Sequence, residues 1–249
     1  MYYRLPLATY RVLDLGPGPA AALAARLLGD AGAEVIAVER KPAERTPSFL
    51  QLNRDKLACT LDFATPAGAS LLHRLVALSD VVVEGCDATE RSRLGLDYET
   101  LRSIRSDIIV ATVRETRAEG TSVSDVVAGT AAASALFVAL LHERNTGEGQ
   151  HIEVDAAQVM KSFGGGASLP SREEALSDRS LRDRLFFEPV AHAREGVVEM
   201  PAVPWRLGLT PCHVRLPAPQ PGEHSAYVFG GLLGLSDSEL AQLQAQGIV

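Results

Sequence analysis

The chain has 249 residues, a formal net charge of −7 at pH 7 and 46% hydrophobic residues. This length and hydrophobic content allow a sizeable core, in one large domain or two small ones. The negative charge, with no run of lysine or arginine longer than two residues, argues against a nucleic-acid partner. The first residues lack a signal-peptide pattern and we expect no membrane span, so we predict a cytoplasmic protein.

The cysteine pattern points the same way. Cys59, Cys86 and Cys212 are odd in number, far apart in the sequence and without a CxxC spacing. This predicts reduced thiols, with neither a disulfide framework nor a metal site.

The first half of the chain alternates between predicted strands and helices. Pro19 suits the first position of a helix, and Gly32 stands where a helix that ends near Asp30 needs a glycine. Strands are predicted at 11–15, 33–39, 58–62, 80–84 and 108–113, and helical segments at 20–30, 65–78, 91–96 and 98–104. The polar segment 40–51 is predicted to be a surface loop. Strand–helix–strand alternation of this kind favours a parallel α/β sheet.

A glycine pattern follows the first strand. Gly16-x-Gly18-x-x-Ala21, with Glu39 further on, superficially matches a dinucleotide-binding fingerprint. That motif offers backbone N–H groups to a pyrophosphate, and Pro17 and Pro19 have none to offer. A nicotinamide-dependent oxidoreductase is therefore a distant alternative.

The stretch from Ser122 to Asp155 organises the chain. Ser124 and Asp125 are both suitable N-cap residues, and small or apolar residues fill 126–141. That run is shorter than the roughly 20 residues of a membrane span, so we predict a buried core helix. A turn at 145–149 then leads into an alternating strand, His151–Asp155.

The pattern weakens after Asp155. Segment 171–184 is highly charged and is predicted to be a solvated helix or a link, and 197–204 a short strand. Four prolines between 209 and 221 predict extended chain. A last amphipathic helix is predicted at 237–246, capped by Ser236 and ended by Gly247.

Several of these pieces together resemble the family III CoA-transferases, the CaiB/BaiF group that contains formyl-CoA transferase and the acyl-CoA racemases. The segments that carry the resemblance are RVLDLG at 11–16, LLGDAGAEVIAVER at 27–40, LNRDKLACTLD at 52–62, ALLHERNTGEGQHIEVD at 139–155 and LLGLSDSELAQLQAQGIV at 232–249. The resemblance implies a Rossmann-like parallel α/β domain and a homodimer of interlinked chains. Residues 1–158 and 201–249 would form the core, and 159–200 the remnant of a largely deleted middle domain.

The resemblance also implies a chemistry. It places the catalytic aspartate on Asp125, which would attack an acyl-CoA thioester, with coenzyme A as co-substrate and a small carboxylic acid as partner. The coenzyme A contacts that it implies are Pro17, Gly18, Arg40, Lys56, Gly85, Cys86 and Arg93. The acidic residues Glu84 and Asp87, at the end of a neighbouring strand, are further candidates to lie beside Asp125.

The departures from the family leave alternatives open. The segment between the strand at 108–113 and Asp125 is short and lacks the histidine of the racemases, so a two-base racemase is disfavoured. Gly85-Cys86 replaces the usual Asn-Phe beside the adenine. One alternative is a lyase, isomerase or cyclase that acts on a small substrate other than CoA with Asp125 as acid or base. Another is a non-catalytic homologue.

Overall fold

The computed structural model describes residues 4–16, 18–40, 45–115, 122–162, 177–183, 186–192, 195–203, 210 and 212–249. Its centre is a six-stranded sheet in which every pairing is parallel. The strand order is β3-β2-β1-β4-β5-β6. The strands are β1 (Arg11–Asp14), β2 (Glu34–Glu39), β3 (Lys56–Thr60), β4 (Val81–Glu84), β5 (Ile109–Arg114) and β6 (His151–Asp155). The predicted α/β class with a parallel sheet is confirmed.

Helices cover both faces of this sheet. They are α1 (Pro19–Asp30), α2 (Pro47–Leu52), α3 (Pro66–Ala77), α4 (Ala88–Leu94), α5 (Tyr98–Ile104), α6 (Val123–Thr146), α7 (Ala156–Ser162), α8 (Arg179–Asp183), a π-helix (Ala226–Leu232) and α9 (Asp237–Ala245). A separate antiparallel pair follows α8, with strands β7 (Phe187–His192) and β8 (Gly196–Pro201). Except for Pro201, this pair lies in the segment 159–200 that the sequence assigns to a middle-domain remnant.

Alternating strand residues divide the core into two clusters. On β1, Val12 joins the cluster with α1 and α6, while Leu13 joins the cluster with α3, the π-helix and the C-terminal residues. Because successive side chains of a strand point to opposite faces, a short apolar strand supplies both clusters. Strand β4, which is buried throughout, is the clearest case of the continuous apolar run of a covered parallel strand.

The close packing of α1 against α6 depends on small residues. A Cβ at Gly129 would lie 2.7 Å from the carbonyl oxygen of Ala20 and 2.9 Å from Leu23 Cβ, so only glycine fits at this crossing. Ala128, Ala132 and the rest of the buried side of α6 continue the contact. This packing brings the first turn of α6 toward the first turn of α1.

Helix α6 is longer than the sequence pattern indicated. It begins at Val123 after the N-cap Ser122 and ends at Gly147, a glycine with φ of +74°. Among the described residues, α6 is a helix that is long and apolar enough to cross a membrane, judged by length and composition alone. Of its most apolar stretch of 18 residues, 44% is buried inside the protein. The expectation that no segment is long enough was therefore wrong.

The C-terminal residues return to the sheet through polar contacts. Asp55, which has a positive φ of 59°, accepts hydrogen bonds from the backbone N–H of Arg215 and of Leu216, each at 2.7 Å. The backbone N–H of Ala58 donates to His224 Nδ1 at 3.2 Å. These contacts fix the segment that leads to the π-helix and α9.

Several elements differ from the sequence expectations. Helix α2 occupies part of the predicted loop 40–51, because Thr46 caps it and Pro47 takes the first helical position. Strand β3 begins two residues earlier than expected, at Lys56. Strand β6 is confirmed at both ends, and α9 begins after Ser236 as predicted.

Candidate active site at the carboxyl edge of the sheet

The strand order places a topological switch point between β1 and β4. After β1 the chain continues to β2 on one side, and after β4 it continues to β5 on the other side. Open α/β sheets bind ligands at such a switch point, outside the carboxyl ends of the strands. The turn from β1 into α1 contains Gly16 and Gly18, and the turn after β4 contains Gly85 and Cys86. Pro17, also expected at this edge, lies outside the described residues.

Asp125 lies in the first turn of α6, where it takes part in a reciprocal cap. Its Oδ2 accepts hydrogen bonds from the backbone N–H of Ser122 at 2.8 Å and from Ser122 Oγ at 2.6 Å. The backbone N–H of Asp125 in turn donates to Ser122 Oγ at 3.2 Å. Ser122 is thus the N-cap residue, and the expectation that Ser124 or Asp125 caps the helix was wrong.

The second carboxylate oxygen of Asp125, Oδ1, differs from Oδ2 in its hydrogen bonding. Asp125 is only 1% exposed, yet its Oδ1 has no hydrogen-bond partner among the residues that the structure describes. A buried polar atom without a partner is rare in a folded protein and costs free energy, so it marks a position where a ligand can supply the missing interaction.

A second carboxylate, Glu115, follows β5 and lies at the N-terminus of α1. Its Oε1 accepts hydrogen bonds from the backbone N–H of Ala20 at 2.7 Å and of Ala21 at 3.3 Å. A Cβ at Gly18 would overlap Glu115 Oε2, so the glycine leaves the space that this carboxylate fills. Glu115 was not among the sequence-predicted site residues.

Glu115 and Asp125 interact electrostatically, and we call them the carboxylate pair. Burial is the main cause that raises the pKa of Glu115, and the negative charges of Asp125 and Asp14 raise it further, against the effect of the two backbone N–H donors. Two acids in different environments, one of them with a raised pKa, are a common arrangement at catalytic sites.

The acids proposed from the sequence as neighbours of Asp125 have other roles. Glu84 accepts hydrogen bonds from Thr112 Oγ1 and, at 2.7 Å, from the backbone N–H of Cys86. Asp87 caps α4 through the backbone N–H of Glu90 at 2.9 Å. Both side chains thus serve local structure, and in the described part of the site the residue paired with Asp125 is Glu115.

Lys56, expected to contact coenzyme A, is fully buried. Its Nζ donates to Asp14 Oδ2 at 2.7 Å, to the carbonyl oxygen of Ala22 at 2.9 Å and to Asn53 Oδ1 at 2.9 Å. These contacts use all three donors of an ammonium group. The geometry does not support a coenzyme A contact for Lys56, because no donor remains for a phosphate.

The structure brings two of the predicted basic contacts together. Arg40 Nη1 lies 2.9 Å from Glu90 Oε1, and Arg93 Nη2 lies 3.8 Å from the same oxygen. The Arg40 guanidinium also lies 5.6 Å from the ring centroid of Phe63. Both arginines are partly exposed, so an anionic ligand group that takes the place of Glu90 can reach them.

Cys86 is a buried thiol, and Gly85 beside it is partly exposed. Burial, with the charge of Glu84 adding to it, raises the pKa of Cys86 to about 12. Since the thiolate is the reactive form of cysteine, this thiol is unsuited to act as a nucleophile at neutral pH. Because the backbone N–H of Cys86 already donates to Glu84, Gly85 is the part of this turn that remains available to a ligand.

His151 is half-buried on β6. Its ring stacks on Tyr98 with centroids 5.6 Å apart, and its Nε2 lies 2.9 Å from Thr112 Oγ1. Burial lowers the pKa of this histidine. A surface hollow of about 350 Å³ beside Tyr98 is also lined by Gly147 and Gly149, which precede β6, so it lies at the opposite edge of the sheet from Asp125.

A parallel sheet in this strand order, with a carboxylate pair at its carboxyl edge, defines an α/β protein with an acid-containing site at the switch point. CoA-transferase family III matches residues 7–115 and 113–169 of the chain. The chain belongs to this family, as the resemblance in the sequence indicated. The match includes both members of the carboxylate pair.

Individual relatives agree with the family assignment. The succinate--glutarate CoA-transferase of Agrobacterium fabrum is 27% identical over 209 residues, which span 63% of this chain and 52% of that protein. The succinyl-CoA:glutarate CoA-transferase of Mus musculus is 36% identical over 121 residues, or 43% of this chain and 28% of that protein. The chain thus spans about half or less of the length of these curated relatives.

A solved structure supports the fold. The crystal structure of a CaiB/BaiF family protein from Brucella suis superposes with a TM-score of 0.77 and 18% sequence identity. The superposition covers 92% of this chain and 100% of that chain. At this level of identity the likeness concerns the fold.

Proposed function

We propose that this protein transfers coenzyme A between carboxylic acids, with Asp125 as the nucleophile. The observation that carries the proposal is the buried Oδ1 of Asp125, which lacks a partner among the described residues while Oδ2 is held by Ser122. An oxygen that is oriented but not hydrogen-bonded is suited to attack a carbonyl carbon. Relatives named as CoA-transferases support coenzyme A as the co-substrate.

The proposed reaction proceeds by covalent exchange. Asp125 Oδ1 attacks the thioester carbonyl, the C–S bond breaks, and a mixed anhydride and the CoA thiolate form. The thiolate then attacks the Asp125 acyl carbon, which releases the first acid and leaves an enzyme thioester. An acceptor carboxylate attacks this thioester, which forms a second anhydride and releases the CoA thiolate. The thiolate then attacks the acyl carbon that comes from the acceptor, which gives the new acyl-CoA and free Asp125. Covalent catalysis replaces one difficult exchange with several easier steps.

The first turn of α6 supports this chemistry, because Asp125 lies there. Partial positive charge at a helix N-terminus stabilises anionic oxygens, including the oxyanion that forms when a thioester is attacked. The corresponding donors of α1 are occupied by Glu115. Asp125 is 1% exposed, so the proposal requires the site to open for the substrate.

A direct experiment compares the wild type with Asp125→Asn. The variant keeps a side-chain oxygen that can accept hydrogen bonds from Ser122, and it removes the negative charge that the nucleophile needs. We expect coenzyme A to raise the Tm of both proteins and only the wild type to transfer CoA from a thioester to an acid. Transfer that persists in Asp125→Asn would contradict the assignment of the nucleophile.

The carboxylate pair favours a second candidate function, acid–base chemistry on a small substrate that is not a CoA thioester. Glu115 has a raised pKa next to Asp125, as a general acid needs. The occupied donors of Lys56 also remove one expected coenzyme A contact from this structure. Absence of any Tm shift with coenzyme A, together with loss of turnover on another substrate in Asp125→Asn, would favour this candidate.

We also propose that the protein forms a homodimer. The outer side of α6 exposes large apolar side chains, with Val126 at 45%, Val138 at 67% and Leu141 at 59%. An exposed apolar stripe on a helix is typical of an interface. Light scattering after size-exclusion chromatography should give the mass of a dimer, and Val138→Glu with Leu141→Glu should shift it toward the monomer.

A further inference from the structure

Glu115 fills the position at the N-terminus of α1 where an anion is most stable. The first helical residue, Pro19, has no N–H, and the backbone N–H of Ala22 already donates to Gly18 O at 3.1 Å. The two remaining N–H groups of this turn, from Ala20 and Ala21, both donate to Glu115 Oε1. A negatively charged ligand group therefore finds these donors taken by a side chain of the protein itself.

The charges around Glu115 add to this effect. Asp14 on β1 and Asp125 on α6 both lie close enough to interact with it, and Lys56 on β3 is committed to Asp14. Across the described residues, no lysine or arginine forms an ion pair with Glu115 or with Asp125. An additional negative charge next to the carboxylate pair would thus meet repulsion, and among the described residues it would find no cation paired there.

The chemistry of an acyl-CoA determines which group meets this repulsion. When Asp125 attacks a thioester, the atoms next to it belong either to the acyl group or to the uncharged pantetheine arm. The phosphates of coenzyme A lie at the far end of that arm. Of the groups near the thioester, only the acyl chain differs in charge from one substrate to another.

We propose that Glu115 is a specificity-determining residue that restricts the acyl group to chains without a carboxylate of their own. The inference rests on the proposed function, because it assumes that an acyl-CoA thioester is placed at Asp125. It assigns to Glu115 a role that a simple helix cap does not have, since a cap tolerates any charge on the substrate.

The experiment compares two CoA thioesters with four-carbon acyl groups, butyryl-CoA and succinyl-CoA, which differ by a terminal carboxylate. Binding is measured by calorimetry at pH 8 for the wild type, Glu115→Gln and Glu148→Gln. Gln keeps the carbonyl oxygen that accepts from Ala20 and Ala21, so Glu115→Gln removes the charge with little change in shape. Glu148 is an exposed acid after α6, with a side chain 78% exposed, and its variant makes the same change in net charge.

We expect the wild type and Glu148→Gln to bind butyryl-CoA at least about tenfold more tightly than succinyl-CoA, and Glu115→Gln to reduce this ratio to about threefold or less. A ratio unchanged by Glu115→Gln, or a wild type that prefers succinyl-CoA, would overturn the specificity role while leaving the proposed function intact. If the wild type bound neither thioester nor free coenzyme A, the proposed function would fail and the specificity role with it.

A pH series on the wild type gives a second readout that needs no variant. As the pH falls and Glu115 takes up a proton, the preference for butyryl-CoA should weaken, because the repelling charge is lost. Among the described residues, Asp14 and Asp125 are the charged groups that interact with Glu115, and the Glu115→Gln protein contains both. The same pH dependence in Glu115→Gln would assign the effect to one of them or to the carboxylate of succinyl-CoA itself, and would overturn the proposal.

Discussion

Two buried charged pairs lie near the start of α1, and they differ in how fully their hydrogen bonds are satisfied. In the Asp14–Lys56 pair, the ammonium uses all three donors on protein atoms. In the carboxylate pair, two acids interact electrostatically, and one oxygen of Asp125 lacks a partner among the described residues. A satisfied buried pair holds strands and helices in place, whereas an unsatisfied one marks the position that a substrate must complete.

The sharpest test of the first pair is Lys56→Met. This change leaves the Asp14 carboxylate buried without its cation, and we expect a loss of about 3–5 kcal/mol in the free energy of unfolding, measured in urea. Arg93→Met is the matched control, because the Arg93 side chain is 58% exposed and should contribute about 0.5 kcal/mol or less. Equal losses in the two variants would show that the Asp14–Lys56 pair is not structural.

The two reciprocal caps of the protein provide the second test. Ser122 and Asp125 form a buried cap on α6, and Ser236 and Glu239 form the same motif, exposed, on α9. Ser122→Ala removes a cap and also a donor to Asp125 Oδ2, so we expect it to cost about 2 kcal/mol in urea unfolding. Ser236→Ala should cost about 1 kcal/mol or less. The comparison fails if the exposed cap contributes as much as the buried one.

The space around Glu115 can be tested by a double-mutant cycle. Gly18→Ala places a methyl group where Glu115 Oε2 now lies, so we expect it to destabilise the wild type by about 1 kcal/mol. The same substitution should cost almost nothing in a Glu115→Ala background, because the conflicting carboxylate is gone. Additive effects in the cycle would show that Glu115 does not occupy the space beside Gly18.

The smallest expected effect is a pH dependence of stability. The pKa of Glu115 is raised in the folded protein, so its contribution to stability is fully present below its ordinary value and is lost as the pH rises through the folded pKa. Glu115→Gln should therefore gain stability relative to the wild type as the pH rises from 4 to 8. Hydrogen bonds from Ser236 lower the pKa of Glu239, so Glu239→Gln should change in the opposite direction. Parallel curves for the two variants would contradict these assignments.

The sheet could be predicted from the sequence because its strands have strong local patterns of apolar residues. Continuous apolar residues mark β4, and regular alternation marks β6. Helix α2 falls in a polar segment that predicts a loop, although Pro47 suits the first position of a helix. The π-helix was missed because Gly230 and Gly231 interrupt its pattern.

The site was harder to predict, since its contacts join residues that are distant in the sequence. Asp125 could be singled out because a cap and a small-residue helix are local features. Glu115 had no such signal: its donor, the N–H of Ala20, lies 95 positions away. For the same reason Lys56 was assigned to the ligand, because its partner Asp14 lies 42 positions away and becomes visible only in the fold.

The most direct test of the central claim is a search for a covalent intermediate on Asp125. The protein is incubated with a series of CoA thioesters that have uncharged acyl groups, treated with hydroxylamine, and analysed by peptide mass spectrometry. The account predicts a hydroxamate on the Asp125 side chain of the wild type and none in Asp125→Asn. A hydroxamate on another residue, or turnover of the thioesters with Asp125 unmodified throughout, would contradict it.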